Sequence, residues 1–216
     1  MQIVILLYDR FTALDAIGPY EVLSRLDHAE VVFAAERPGP VHTDTGMLAI
    51  TADASIGELA HPDIILVPGG PGQEAQLDDG PMHEWLRRAD AATSWTTSVC
   101  TGSLTLAAAG LLTGRRATSH WTALEQLARF GAVPVTERVV FDGKYVTAAG
   151  VSAGIDMGLT LAGRIAGDEV AQSIQLMLEY DPQPPYDAGS PDKAPAAVTQ
   201  RFRDRSRYPQ PARTVT

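Results

Sequence analysis

Short apolar runs alternate with amphipathic stretches along most of the chain. The runs at Gln2–Leu7, Glu30–Ala35 and Asp63–Val67 consist mainly of apolar residues, as is typical of strands buried on both faces of a parallel sheet. Thr96–Val99 predicts a further strand, and apolar residues recur at helical spacing between these runs. Strands separated by helices predict an α/β fold with a mostly parallel central sheet flanked by helices. The helices predicted in this way are Leu14–Leu26, Met82–Ala92, Gly102–Leu111, Thr122–Phe130, Ala153–Ile165 and Glu169–Leu178.

Two segments predict antiparallel hairpins. PGPVHTDTGMLAITAD (38–53) has turn-forming residues beside two short strands, and RVVFDGKYVTAAG (138–150) has Asp142–Gly143 between two alternating runs. Ala117–Ser119 predicts another short strand. Two prolines bear on the helices, because Pro81 suits the first turn of its helix, whereas Pro19 is expected to be tolerated only near the start of its own.

Length and composition predict one large domain, residues 1–195, followed by a C-terminal helix and tail, residues 196–216. Composition changes near Asp181, where YDPQPPYDAGSPDKAP (180–195) is rich in proline and turn formers and predicts a strap over the domain surface. RFRDRSRYPQPARTVT (201–216) is locally basic, so a nucleic-acid-binding arm is an alternative interpretation of this segment. The net charge of -9 and a pI near 4.9 argue against a nucleic-acid partner for the protein as a whole.

Several features predict a cytoplasmic protein without a membrane partner. The first residues, MQIVILLYDR, have no preceding basic region, and their apolar run is too short for a signal peptide. No apolar stretch is long enough to cross a bilayer. The chain has one cysteine, so it cannot form an internal disulfide and suits a reducing compartment.

That cysteine, Cys100, lies where a predicted strand meets a predicted helix. SVCTG (98–102) has the pattern of a nucleophile elbow with sulfur as the attacking atom. The turn would hold Cys100 at the carboxyl edge of the sheet, near the N-terminus of the next helix, whose field favours the thiolate. The backbone N–H of Thr101 could donate to charge developing on a substrate. The alternative is a buried, inert cysteine.

Other segments that follow predicted strands belong to the same edge. In LVPGGPG (66–72), the Gly69–Gly70 pair leaves a backbone N–H able to face a ligand, with a plain tight turn as the alternative. Asp15 follows the first strand, so its carboxylate also lies at this edge, and helix N-capping explains it equally well. His120 lies near another strand end, where a purely structural histidine is the alternative. The other histidines lack metal-ligand spacing, so no metal site is predicted, and no nicotinamide or flavin fingerprint occurs.

Together these segments resemble the ThiJ/PfpI superfamily, which has the class I glutamine-amidotransferase-like fold, a flavodoxin-like sandwich with a nucleophile elbow. In that family an acidic residue after the first strand, a Gly-Gly turn and an elbow cysteine converge on one site. Asp15, Gly69–Gly70 and Cys100 match these positions in order. The resemblance is closest to the isocyanide hydratases, through LDAIGP (14–19), TSVCTGSL (97–104), RATSHW (116–121), SAGID (152–156) and LEYDPQPPYDAGSPD (178–192).

The resemblance implies a cofactor-independent lyase that adds water to an isocyanide, R–N≡C, and releases an N-substituted formamide. It implies that Cys100 is the nucleophile and forms a covalent thioimidate, which water then hydrolyses. Asp15 would be the general acid and base, and Thr101 a further catalytic residue. Many members of the family have glutamate at the position of Asp15, so the shorter acid would reach the sulfur differently.

The resemblance also implies the surroundings of the nucleophile. The backbone N–H groups of Gly69, Gly70 and Thr101 would stabilise charge beside the reacting carbon. His120 and Trp121 would line the pocket. A small-molecule substrate and a homodimer are expected, with the helix that contains Tyr20–Leu26 at the dimer interface.

Other functions on the same scaffold remain open at this point. A glyoxalase or deglycase acting on α-oxoaldehydes would use the same cysteine, and a non-enzymatic redox or ligand sensor would need only that Cys100 oxidises. Protease-like members have a histidine directly after the nucleophile, where this chain has Thr101, so peptidase activity is not expected. Regulators that join this domain to a helix-turn-helix module need a large C-terminal extension, so that architecture is not expected from the residues after Tyr180.

Overall fold

The computed structural model describes residues 1–208 and places a parallel sheet at the centre of the molecule. Helices lie at α1 Ala13–Leu23, α2 Pro81–Asp90, α3 Gly102–Ala108, α4 Ala153–Ala166, α5 Asp168–Met177 and α6 Ala196–Arg205, with 3-10 turns at Ile56–Glu58, Pro71–Gln76 and Leu124–Phe130. The strands are β1 Gln2–Leu6, β2 Glu30–Ala35, β3 Gly39–His42, β4 Ala49–Ala52, β5 Ala54–Ser55, β6 Ile64–Val67, β7 Trp95–Val99, β8 Arg116–Ala117, β9 Val133–Pro134, β10 Val139–Asp142 and β11 Tyr145–Ala148.

The central sheet has seven strands in the order β10-β11-β7-β6-β1-β2-β5. Its pairs are parallel except for β10 with β11, which confirms the predicted mostly parallel α/β fold. All four residues of β6 are buried, as a strand covered by helices on both faces requires. The two predicted hairpins are confirmed as the antiparallel pairs β3–β4 and β10–β11.

Helix α1 departs from the prediction because Pro19 lies in its middle and not near its start. Proline has no N–H and normally breaks the helical ladder. Here tertiary packing overrides that preference, since Pro19 and Val22 pack against glycines of α4. A Cβ on Gly154 would lie 3.0 Å from Pro19 Cγ, and one on Gly158 would lie 3.0 Å from Val22 Cβ.

The packing of α1 also bears on the predicted dimer. Val22, Leu23 and Leu26 are buried within the same chain, in an apolar cluster that includes Leu161 of α4 and Ile174 of α5. These three side chains pack within the chain, and a homodimer with the helix that contains Tyr20–Leu26 at its interface remains a prediction. No helix among residues 1–208 is long and apolar enough to cross a membrane.

The topology brings three chain segments to one edge of the sheet. Strands β1, β6 and β7 are neighbours and run parallel, so the segments that follow them emerge side by side. Helix α3 starts close to the end of β6 because its first residue is Gly102, where a Cβ would lie 2.1 Å from the Val67 carbonyl oxygen. This close approach sets the position of Cys100.

Candidate active site

Cys100 occupies a sharp turn between β7 and α3. Its φ is 58°, in the left-handed region that costs a non-glycine residue about 1–2 kcal/mol. Hydrogen bonds hold this conformation, because the Cys100 N–H donates to the carbonyls of Ala148 (3.0 Å) and Ala149 (2.9 Å). The Cys100 carbonyl accepts from the hydroxyls of Ser103 and Ser119, both at 3.0 Å. This strand–turn–helix geometry is that of a nucleophile elbow, as the sequence pattern predicts.

Asp15 lies in the first turn of α1, and the cap position itself is occupied by Thr12. The capping interpretation of Asp15 is therefore wrong. Its carboxyl is fully buried, and Oδ2 accepts a hydrogen bond from the Gly69 N–H at 2.9 Å. Oδ1 of Asp15 has no hydrogen-bond partner by distance and angle among residues 1–208, and the side chain that interacts with this carboxyl is the Cys100 thiol.

The thiol of Cys100 and the carboxyl of Asp15 form an electrostatically coupled pair. Burial raises the pKa of Asp15 to about 7, against the opposing effect of the Gly69 N–H. Burial, together with the charge of Asp15, raises the pKa of the Cys100 thiol, while the N–H groups of Thr101 and Val151 act in the opposite direction. Burial and the charge of Asp15 thus oppose the effect expected from the helix N-terminus, and a thiolate at Cys100 stays a prediction.

The Gly69–Gly70 turn packs directly against this pair. A Cβ on Gly69 would lie 2.5 Å from the Thr101 nitrogen and 2.9 Å from Asp15 Oδ2. The Gly69 N–H is held by Asp15, whereas the Gly70 N–H donates to Thr101 Oγ1 at 3.0 Å. The turn therefore positions the Asp15 carboxyl through the Gly69 N–H. The Gly70 N–H is covered by the Thr101 hydroxyl, which can rotate away.

His120 borders the cavity above Cys100, which has a volume of about 270 Å³. Burial lowers the pKa of His120, so the imidazole is neutral at physiological pH. Its Nδ1 accepts from the Thr122 N–H at 3.3 Å and lies 2.7 Å from Thr122 Oγ1. The remaining proton is accordingly on Nε2.

Trp121 lies on a different cavity. A neighbouring space of about 440 Å³ is bordered by Trp121, Leu124, Arg138 and the strap residue Asp192. His120 borders both cavities, and Trp121 does not border the one that contains Cys100. Trp121 therefore lines the neighbouring cavity and not the cavity that contains Cys100.

The C-terminal segment borders the Cys100 cavity, which the sequence patterns do not predict. Phe202, at the end of α6, and Tyr208 both contribute to its lining. The Arg207 guanidinium donates to the Pro71 carbonyl at 2.8 Å, and the Tyr208 hydroxyl donates to Gln73 Oε1 at 2.6 Å. Nothing in the basic sequence RFRDRSRY indicates this contact, because its partners lie more than a hundred residues earlier in the chain.

A second buried polar cluster lies at the opposite edge of the sheet and has a structural character. Asp90 accepts from Thr96 Oγ1 at 2.6 Å and from the Tyr145 hydroxyl at 2.9 Å, and it pairs with Lys144 Nζ at 3.1 Å. Its groups satisfy one another and join α2 to β7 and β11. In the part of the chain that the structure describes, no three histidine, cysteine or carboxylate side chains gather as metal ligands would.

These features define a class of protein: a flavodoxin-like α/β domain with an elbow cysteine beside a buried carboxyl. The chain belongs to the DJ-1/PfpI family, which it matches over residues 1–164. It is 44% identical to an isonitrile hydratase of Pseudomonas putida over 95% of this chain and 90% of that protein. It is 32% identical to the HTH-type transcriptional regulator CdhR of Pseudomonas aeruginosa over 74% of this chain and 48% of the regulator.

Two solved structures are similar to this chain, the first in sequence and fold and the second in fold. A ThiJ/PfpI family protein from Pseudomonas syringae superposes with a TM-score of 0.91 at 40% identity, covering 94% of this chain and 84% of that one. Drosophila melanogaster DJ-1beta has a TM-score of 0.74 at 23% identity, covering 82% of this chain and 97% of its own. The second likeness concerns the fold alone.

Proposed function

We propose that this protein hydrates small isonitriles (isocyanides), R–N≡C, to N-substituted formamides by covalent catalysis at Cys100. The observation that carries the proposal is the pairing of a buried thiol with the Asp15 carboxyl, whose pKa is raised to about 7, beside a small cavity. The similarity to the Pseudomonas putida isonitrile hydratase supports the same class of reaction.

In the first half of the reaction, the Asp15 carboxylate accepts the thiol proton while the sulfur attacks the terminal carbon of the isonitrile. A carbon–sulfur bond forms, and Asp15 passes the proton to the same carbon, which gives the thioimidate Cys100–S–CH=N–R. An acid with a pKa near the working pH suits both proton transfers. The N–H groups of Thr101 and Val151 favour negative charge on the sulfur during the attack.

In the second half, water adds to the C=N bond of the thioimidate. The water oxygen bonds to the carbon while Asp15 accepts one of its protons and passes it to the nitrogen. The carbon–sulfur bond then breaks as the remaining hydroxyl proton moves through Asp15 to the sulfur, and HC(=O)–NH–R leaves. One water is consumed for each isonitrile, and both Cys100 and Asp15 return to their starting states. No electrons leave the reactants, so the balance requires no redox cofactor.

The neighbouring groups have supporting roles in this proposal. Gly69 orients Asp15 through its N–H, and a side chain at this position would displace the Thr101 nitrogen. Gly70 and Thr101 supply N–H groups to charge beside the reacting carbon, once the Thr101 hydroxyl turns away from Gly70. His120 contributes a neutral imidazole to the cavity wall.

The test compares two substrates with the purified protein. n-Butyl isonitrile and methylglyoxal are supplied in parallel, and N-butylformamide and lactate are quantified by mass spectrometry, with Cys100→Ser as the control. We expect formamide from the wild-type protein and none from the control. Lactate without formamide would contradict the proposal and favour a glyoxalase. No turnover of either substrate, with Cys100 oxidised by mild peroxide, would favour a sensor.

A further inference from the structure

The end of the described chain borders the cavity above Cys100. Phe202, Ser206 and Tyr208 contribute to its lining, together with Cys100 and His120. We call residues 202–208 the C-terminal wall. Its contacts reach across the chain to Pro71, which borders the same cavity.

The C-terminal wall is anchored by specific contacts. Arg207 donates to the Pro71 carbonyl at 2.8 Å and lies 3.5 Å from the Glu74 carboxylate. The Tyr208 hydroxyl donates to Gln73 Oε1 at 2.6 Å, and Gln73 is fully buried. The Tyr208 ring also packs against the main apolar core. A segment held at a backbone carbonyl, a buried amide and the core has a defined position over the thiol.

The wall contributes two aromatic side chains to a small cavity. The volume of about 270 Å³ lies below the ~300–1,000 Å³ of pockets that bind drug-sized ligands. Phe202 and Tyr208 both line this cavity together with Cys100. The wall lies beyond residue 164, where the match to the family ends, and an alignment over 95% of the chain with the isonitrile hydratase necessarily includes Phe202.

We propose that the C-terminal wall determines substrate specificity, with Phe202 and Tyr208 admitting isonitriles with a short apolar substituent and excluding bulky ones. This inference rests on the proposed function for the identity of the substrate. The effect of the wall on access to Cys100 does not depend on that function, so it can be measured separately. Phe202 and Tyr208 act here through shape, and neither takes part in the proton transfers.

The test uses two alkylating reagents of different size on the full-length protein. Iodoacetamide and the bulkier 2-iodo-N-phenylacetamide modify the same sulfur, and Cys100 is the only cysteine, so intact mass reports its modification directly. The variants are Phe202→Ala and Tyr208→Ala. Matched controls are Val198→Ala, one turn earlier on the same helix, and Tyr186→Ala, an exposed tyrosine in the strap; neither control residue borders the cavity.

We expect the wild-type protein and both controls to react much more slowly with the bulky reagent than with iodoacetamide. Each wall variant should reduce this discrimination by about tenfold or more, the lower end of what a change in the size of an apolar pocket gives. The ratio of kcat/KM for benzyl and n-butyl isonitrile should change in the same direction. Because Phe202 is 57% exposed, its removal leaves the core intact and the variant is expected to fold.

Two results separate this inference from the proposed function. If the alkylation ratios change as expected but the wild-type protein hydrates no isonitrile, the wall limits access to Cys100 and the proposed function is wrong. If the wall variants have the same alkylation ratio as the wild type and the two controls, the wall does not limit access to Cys100. That result overturns the inference even if the wild-type protein hydrates isonitriles.

Discussion

Replacing Asp15 with asparagine should make the protein more stable at alkaline pH while removing its activity. Asparagine keeps the size of the side chain and an acceptor for the Gly69 N–H, and it loses the charge. In the wild-type protein, burial raises the pKa of Asp15 from 3.8 to about 7. The folded state therefore binds this proton more tightly than the unfolded state does.

The sign and size of the effect follow from that difference. The stability that the protonated carboxyl contributes is fully present below a pH of about 3.8 and is lost as the pH rises through about 7. The displacement of the pKa corresponds to about 4 kcal/mol in total, of which about 2–3 kcal/mol is lost between about pH 5 and pH 8. The asparagine side chain does not titrate, so Asp15→Asn does not lose this stability as the pH rises. Between about pH 5 and pH 8, the free energy of unfolding of the variant should therefore rise by about 2–3 kcal/mol relative to that of the wild type.

Urea denaturation at about pH 5 and about pH 8 measures this difference, with Asp53→Asn, an exposed aspartate, as the control. For Asp15→Asn, kcat should fall about 10²–10⁴-fold at the same time, since proton transfer by a positioned side chain is worth that much. If the free energies of unfolding of Asp15→Asn and the wild type change in parallel between acid and alkaline pH, the raised pKa of Asp15 is contradicted. Asp15 would then not be a buried acid with a raised pKa.

Three further predictions concern the surroundings of this pair. Gly69→Ala should lower stability by about 1–3 kcal/mol and abolish activity, because its Cβ would meet the Thr101 nitrogen at 2.5 Å; calorimetry and turnover measure both. The kcat/KM should be low in acid and rise through a pH of about 7, because Asp15 must be ionised to accept the thiol proton; a profile that falls over this range would contradict the assignment. Tyr145→Phe should cost about 1–3 kcal/mol of stability by removing the bond to Asp90, with kcat unchanged, since this cluster lies at the opposite edge of the sheet.

The grouping of the candidate site residues at the carboxyl edge of the sheet was predictable from local patterns. Each of its parts follows a buried strand, and parallel strands bring their carboxyl ends together, so Asp15, Gly69–Gly70 and Cys100 could be expected to meet. Only the resemblance to a family favoured Asp15 as an acid over Asp15 as a helix cap. The structure excludes the cap, since Thr12 occupies the cap position and the carboxyl of Asp15 is fully buried, and the role of Asp15 as an acid remains a prediction.

The features that were not predictable depend on contacts between distant parts of the chain. The tolerance of α1 for Pro19 comes from glycines of α4, far along the sequence. Burial and the charge of Asp15 raise the pKa of the Cys100 thiol, whereas the sequence pattern indicates only the nearby helix terminus. No local sequence pattern predicts the contact of Arg207 with Pro71 either, because these residues lie far apart in the chain.

Addition of the Cys100 sulfur to the isonitrile carbon leaves a covalent adduct on the protein. The intact mass of protein that has been quenched with acid during turnover of n-butyl isonitrile detects this adduct. We expect a mass increase equal to one isonitrile molecule, located on Cys100, with slower formation in Asp15→Asn and none in Cys100→Ser. Formamide released by Cys100→Ser at the wild-type rate, with no adduct on the wild-type protein, would contradict this addition.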